Sequence, residues 1–350
     1  MQSLKSTALE PTRPELAGLT RWRAAVRILP VYGLPILTLA LAVFFSILLP
    51  DTFPTALNIR GILSAKSIVV LLSLGAMLPM MTGRIDLTIG FGIIMWHILA
   101  ISLQVWYGVP WPLAILVVLL CSALSGVVNG LLVEVAQIDS IIATLGTGTI
   151  LYALALWLTG GRQVVGLLAP GFIDVSTLAP LGIPMPAVYV IVLGAALWIL
   201  TERLPLGRQL YAIGANEKAA ALNGISVRAN VIWTFVGSGL VAGFTGCVLA
   251  SQLQIGQANI GLDYLLPALV GAFLGTTTIK PGRVNVLGTI VGVLILAIGI
   301  SGLQQLGGEF FVEPLFNGTT LVVAIALAGF AQRRRSVTAS KAAKPVPPAA

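Results

Sequence analysis

Apolar residues fall in long unbroken stretches along this chain, with polar residues confined to short gaps between them. The runs 28–49, 61–82, 88–107, 112–133, 140–159, 187–201, 229–252, 263–279, 286–305 and 313–332 each approach the roughly 20 residues that carry a helix across a hydrocarbon layer of about 30 Å. Continuous runs, rather than short alternating strands, predict helices, because a segment in lipid must satisfy its own backbone groups. The expected fold is all-α: a polytopic membrane bundle of about ten segments, or eight if the short run 263–279 re-enters without crossing and trades with 286–305.

Composition agrees. The 350 residues are 57% hydrophobic and 9% charged, against about 25% charged in soluble domains. The net charge of +8 does not point to nucleic acid, because its placement is asymmetric. Lys5, Arg13, Arg21, Arg23 and Arg27 precede the first run, and Arg333, Arg334, Arg335, Lys341 and Lys344 follow the last. That positive-inside pattern puts both termini in the cytoplasm. The expected division is a cytoplasmic segment 1–27, a membrane domain 28–332 and a disordered cytoplasmic tail 333–350. The first run is long, with no small-residue cleavage site after it, and reads as an uncleaved helix.

Two gaps are informative. Residues 160–186 hold Gly160, Gly161, Pro170, Pro180, Pro184 and Pro186 with the single cation Arg162, which suits an external loop. Residues 202–228 hold Arg203, Arg208, Lys218 and Arg228, which suits a cytoplasmic one. Within the second, Asn216 is a good N-cap, Glu217 suits the positive helix end, the alanines 219–221 favour helix and Gly224 stops it. A helix of about two turns is marginal alone in water. It must dock, either on a cytoplasmic partner or on neighbouring spans.

Within the spans, Gly126/Gly130, Gly239/Gly243 and Gly288/Gly292 are small-xxx-small pairs of the kind that let helix backbones approach. Cys121 and Cys247 lie within apolar runs and read as packing residues. His97 reads as a packed or hydrogen-bonded residue, Asn129 as a partner for a neighbouring helix, and Glu134 and Asp139 as solvated charges in a turn. Asp86 reads as a cap on the next span paired with Arg84; at membrane depth it would mark a functional site. Gly83-Arg84-Ile85-Asp86-Leu87 and Gly282-Arg283-Val284-Asn285-Val286 share one pattern, a glycine-bearing break with a cation between two apolar runs. Paired breaks in a transporter can lie beside the pathway. The absence of a glycine followed by lysine excludes a P-loop, and one histidine excludes most hydrolytic constellations. No catalytic residues, cofactor or metal site are expected in this chain.

The stretch Gly207-Arg208-Gln209-Leu210-Tyr211-Ala212-Ile213-Gly214-Ala215-Asn216, with Ala219-Ala220 and Leu222-Asn223-Gly224-Ile225, closely resembles the coupling loop of ribose-type sugar permeases of the ATP-binding-cassette class. Ala215 stands for a glycine there and Asn223 for a serine. Thr82 to Gly90, Asn129-Gly130, Ile142 to Thr147, Leu158 to Gly161 and Gly271 to Thr289 resemble further stretches of that family. Arg84 replaces a glycine, and Lys280-Pro281 and Asn285 replace small positions. The resemblance implies a bacterial inner-membrane permease subunit that moves a sugar or polyol by alternating access. It implies as partners cytoplasmic ATPase subunits that bind ATP and Mg, a second permease subunit and an external substrate-binding protein. Asn216, Glu217, Ala219, Ala220, Leu222 and Gly224 would meet the ATPase, and Arg84, Asp86, Asn129 and Asn285 are candidates for the path or its gate. The alternative is a self-sufficient proton-coupled carrier using Arg84, Asp86 and His97.

Overall fold

A computed structural model describes residues 13–309, 311–323 and 326. Among them, helices α1 (Arg13–Leu48), α2 (Ala56–Met81), α3 (Thr88–Val105), α4 (Trp111–Glu134), α5 (Ser140–Thr159), α7 (Met185–Glu202), α10 (Val227–Leu253) and α12 (Val286–Gln305) are the long apolar ones. These eight are long and apolar enough to cross a membrane. The protein is an all-α, multi-pass membrane bundle. The run expected over 263–279 forms α11 (Leu262–Leu274), whose 13 residues span only about 20 Å at 1.5 Å per residue. The run expected over 313–332 is helical over 312–323 (α13); 324–325 and 327–332 lie outside the described residues, as do 1–12 and the tail 333–350.

α10 is the central mast. It packs along α4, α3 and α2, and its buried residues run from Asn230 to Ser251. The main core joins Ile68, Leu72, Ile93, Ile94, Val248 and Leu249 of α2, α3 and α10. α2 also packs on α7, α11 and α12, so it belongs to both halves of the bundle.

Glycine sets the closest crossings. A Cβ on Gly126 would sit 2.7 Å from Val236 Cα, and one on Gly130 would sit 2.8 Å from Ile232 Cα. One on Gly239 would strike the Ser122 carbonyl. The α4–α10 seam is therefore a backbone-to-backbone contact with no room for a side chain. The α11–α12 seam repeats this: a Cβ on Gly288 or Gly292 would meet the Gly275 or Gly271 carbonyl at 2.7 and 2.8 Å.

The segment 160–186 is stitched to the bundle rather than free. Its helix α6 (Pro170–Thr177) lies on α10, Phe172 is fully buried, and Val164 exchanges both backbone hydrogen bonds with Gly256. The segment 202–228 holds two helices, α8 (Pro205–Ala215) and α9 (Glu217–Leu222), where the sequence suggested one. Proline at its first position starts α8, and Leu210 and Ile213 turn inward at helical spacing.

Gly239→Val is expected to lower the melting temperature of the purified protein by at least several degrees, since overpacking costs about 1–3 kcal/mol or more. Gly61→Ala and Gly146→Ala, where a Cβ meets nothing within 4 Å, are expected to be neutral or stabilising by up to about 1 kcal/mol. Thermal denaturation followed by fluorescence size exclusion compares the three.

Candidate functional site

The two glycine-bearing breaks recognised in sequence share a left-handed glycine. Gly83 has φ +80° and Gly282 has φ +83°, a left-handed turn that only glycine adopts without strain. Three residues further, a side chain accepts a backbone N–H from the first turn of the next helix. Asp86 Oδ1 accepts from Thr88 N–H at 2.9 Å, and Asn285 Oδ1 accepts from Gly288 N–H at 2.8 Å. The break between α2 and α3 and the break before α12 are therefore structural counterparts.

Around the first break every side chain is engaged. Ser238 Oγ on α10 donates to Asp86 Oδ2 at 2.7 Å. Burial raises the Asp86 carboxyl above the usual carboxylate range, and the donors from Thr88 and Ser238 pull it back. Asn129 Nδ2 donates to Thr88 Oγ1 at 2.6 Å, and Thr147 Oγ1 donates to Asn129 Oδ1 at 2.6 Å. Asn129 thus ties α3, α4 and α5 together, as its reading as a helix–helix partner anticipated. The space beside Asp86 and Asn129 is about 10 Å³, enough for one water and too small for a sugar. At the second break, Asn285 Nδ2 donates to the carbonyls of Gly275 and Thr278 at 2.7 and 3.0 Å.

Arg84 corrects two expectations. It does not pair with Asp86. Its Nη2 lies 2.7 Å from Glu134 Oε1 and 3.0 Å from Glu217 Oε2, while Nη1 donates to the Thr82 carbonyl at 2.9 Å. Glu134 is not a solvated charge: its side chain is only 3% exposed, because the end of α4 is covered by the guanidinium. Asp139, in contrast, is exposed and caps α5 through Ile141 and Ile142.

Glu217 opens α9, so Arg84 links the break to that helix. Asn216 Oδ1 accepts from Ala219 N–H at 3.0 Å, and Gly224, at φ +79°, reverses the chain after α9. Ala219, Leu222 and Gly224 are exposed, Leu222 to 90%. Ala220 is the exception among the residues expected to face a partner. It is buried against Val133, Ile213, Val231 and Phe235, because a one-residue step on so short a helix turns the side chain through about 100°. α8 grips both breaks. A Cβ on Gly214 would strike the Met81 carbonyl, and Tyr211 Oη donates to the Val284 carbonyl at 2.7 Å, with the Arg283 guanidinium 5.5 Å from its ring. Burial, then the Glu202 carboxylate, push the Tyr211 phenol up to about 12 against the opposing pull of Arg283, so it remains a donor at physiological pH.

His97 lies apart from these groups. Its Nδ1 is 3.0 Å from the Ile93 carbonyl, and Nε2 accepts from Gln257 N–H at 3.1 Å. Arg84, Asp86 and His97 thus belong to three separate hydrogen-bond networks among the described residues.

The sequence reading passed over Lys66. It lies inside α2 and pairs with Glu313 at 2.6 Å. A cation within an apolar run was the available signal.

A bundle of membrane-crossing helices, with a short amphipathic pair clasping paired breaks at one end, defines a membrane transport subunit. Residues 58–328 match the family described as the branched-chain amino acid transport system / permease component, and the chain belongs to that family. It is 34% identical to the ribose import permease protein of Bacillus subtilis over 294 residues, covering 84% of this chain and 91% of that protein. It is 28% identical to the D-allose transport system permease protein of Escherichia coli over 292 residues, covering 83% and 89%. It is 27% identical to the autoinducer 2 import system permease protein of Escherichia coli K12 over 329 residues, covering 90% and 99%. No solved structure matches the chain.

Arg84→Met is expected to destabilise the protein by about 3 kcal/mol, because it strands the buried Glu134 carboxylate. Adding Glu134→Gln should recover most of the loss. Glu217→Gln, at a half-exposed position, should cost less than about 1 kcal/mol. Melting curves of the four proteins check the ordering.

Proposed function

We propose that this chain is the permease subunit of an ATP-binding-cassette importer that carries a sugar or related polyol across the bacterial inner membrane. It would work with a second permease subunit, identical or sister, with cytoplasmic ATPase subunits that bind ATP and Mg, and with an external substrate-binding protein. The observation that carries the reading is α9. This two-turn helix exposes Leu222 at one end of the bundle and is bound through Glu217 and α8 to both helix breaks. The ribose and allose permeases among its relatives support the sugar class. The α8–α9 end is the cytoplasmic face in this reading, with both termini on that side and 160–186 outside, consistent with the basic residues of 202–228.

On α9 the proposed contact face is Leu222 with the exposed Ala219, flanked by Asn216, Glu217 and the reversal at Gly224. A single apolar anchor at the centre of a small interface can carry much of its energy. Movement of the ATPase would pull on α9, and Glu217–Arg84 and Tyr211–Val284 would pass that displacement to the two breaks. Arg84, Asp86, Asn129 and Asn285 would then act as gate-holding residues rather than as contacts for substrate.

Leu222→Asp is expected to abolish co-purification of the cognate ATPase while leaving the permease melting temperature within about a degree, since surface changes fall within ±0.5 kcal/mol. Ala220→Glu should instead lower the melting temperature itself, because it forces a charge into a packed apolar site. Retention of the ATPase by Leu222→Asp overturns the docking assignment. For orientation, a cysteine at position 215 should react with impermeant reagent only from the inside, and one at the fully exposed Leu181 only from the outside.

A further inference from the structure

At the end of the bundle away from α8–α9, a cavity of about 470 Å³ opens between α2, α11 and α13. That volume lies in the range of small-molecule sites, about 300–1,000 Å³. Lys66, Asp263, Tyr264, Glu313 and Asn317 supply its polar wall, and Pro267 is part of its apolar side. We propose that it is a binding site for a neutral polyhydroxylated ligand, a resting point for substrate on the external side. The proposal rests on the importer reading above.

Three observations support it. First, Lys66 stands ten residues into α2, about 15 Å along the helix, and a cation at such a place is costly unless it serves a function. Its pairing with Glu313 does not seal it. The two side chains remain 24% and 36% exposed, facing open space rather than packed protein. Second, Asn317 is only 4% exposed, and its Oδ1 has no hydrogen-bond partner. A buried amide oxygen left unpaired is unfavourable, and rotation of the amide toward the cavity that Asn317 lines would let a ligand hydroxyl pair it. Third, the donors and acceptors are mixed. Lys66 Nζ, Tyr264 Oη and the Asn317 amide nitrogen can donate; the Asp263 and Glu313 carboxylates and Asn317 Oδ1 can accept. A hydroxyl does both, so a polyol can satisfy such a wall where a ligand with donors alone or acceptors alone cannot.

Charge narrows the ligand further. One lysine against two carboxylates leaves the wall at −1, which disfavours phosphorylated sugars and sugar acids. Lys66 is paired with Glu313, so an organic cation drawn to Asp263 is the rival occupant, which the choline probe tests. The ring of Tyr264 and the neighbouring Pro267 offer an apolar surface for the C–H face of a sugar.

The test uses the full-length permease in nanodiscs, probed by saturation-transfer NMR with D-ribose, D-allose, ribitol, ribose 5-phosphate, gluconate and choline. At least one neutral probe should show transfer. Asn317→Leu and Asp263→Asn should each weaken it about tenfold, the effect of losing one or two hydrogen bonds. Asn317→Ser serves as a second variant should the leucine unfold the protein. Ribose 5-phosphate, gluconate and choline should be silent. Silence from all neutral probes, preference for a charged probe, or unchanged binding in both variants overturns the site. Uptake by the assembled importer in liposomes separates the two claims. Sugar import that is unaltered by Asn317→Leu and Asp263→Asn overturns this site and leaves the importer reading standing. A complex that retains its ATPase but imports no member of the panel overturns the sugar reading, and the site with it.

Discussion

Helical backbone cannot be broken inside a membrane bundle unless every freed donor and acceptor finds another partner. Two breaks at one end of this bundle meet that constraint in the same way, and much of the architecture follows. At Gly83 the chain turns left-handed. Gly83 and Arg84 N–H return to the carbonyls of Met80 and Pro79, and Ile85 and Leu87 N–H donate to Ser140 and Thr144 on α5. At Gly282 the corresponding turn is held by the Asn285 amide and by Tyr211, which takes the Val284 carbonyl. Each break thus borrows hydrogen bonds from another part of the fold. α5 must stand beside the first, and α8 must reach the second. Neither break is self-sufficient, so neither can change shape without moving the element that completes it.

Sequence periodicity captured the long helices because a run of apolar residues near bilayer thickness has one economical structure. It was weakest where length and burial part company. The run after Asp263 is apolar enough to suggest a span, yet α11 stops at 13 residues, its end closed by Gly275 against α12. α8 is not evident as a helix in the sequence because its apolar stripe is short and broken by Gly207 and Gly214. Those glycines are present for contact: a Cβ on either would strike a neighbouring carbonyl, Thr201 or Met81. Asp139 and Asn285 cap helices, though in sequence they read as a solvated charge and a path candidate; the Asn216 cap was legible, because capping is local chemistry. Charge partners were not. Arg84 lies two residues from Asp86, but its carboxylates come from 50 and 133 residues away. The orientation of Ala220 was equally hidden, since helical periodicity over six residues defines no face.

Arg84 stands where the ribose-type permease motif that this stretch resembles carries glycine. The substitution brings a permanent charge to a turn, and the charge is matched by one buried and one half-exposed carboxylate. The buried partner, Glu134, fixes the cation against α4. The half-exposed partner, Glu217, is held by an interaction that water screens, worth at most about 1 kcal/mol. The two contacts are therefore unequal. The guanidinium stays with the bundle while its link to α9 can be exchanged at small cost, a division that suits a connection between a fixed scaffold and a part that is pulled.

α2 joins the two ends of this arrangement. Its last turn carries the Met81 carbonyl against which α8 packs and leads into Gly83, and its first half carries Lys66. Pro79 interrupts the hydrogen-bond ladder one turn before the break, so bending is easiest at that end. Between Lys66 and Pro79 the helix is almost wholly buried, with Gly75 wedged against Ile89 and Val241, and a segment packed on all sides moves as a rod or not at all. A displacement delivered at the break has two outlets: it can be absorbed at Pro79, or it can shift the rod and carry Lys66 relative to Glu313. The first leaves the far end untouched. The second would change the Lys66–Glu313 ion pair that lines the open cavity, so the stiffness of α2 around Pro79 decides whether the two ends of the bundle are coupled through this helix.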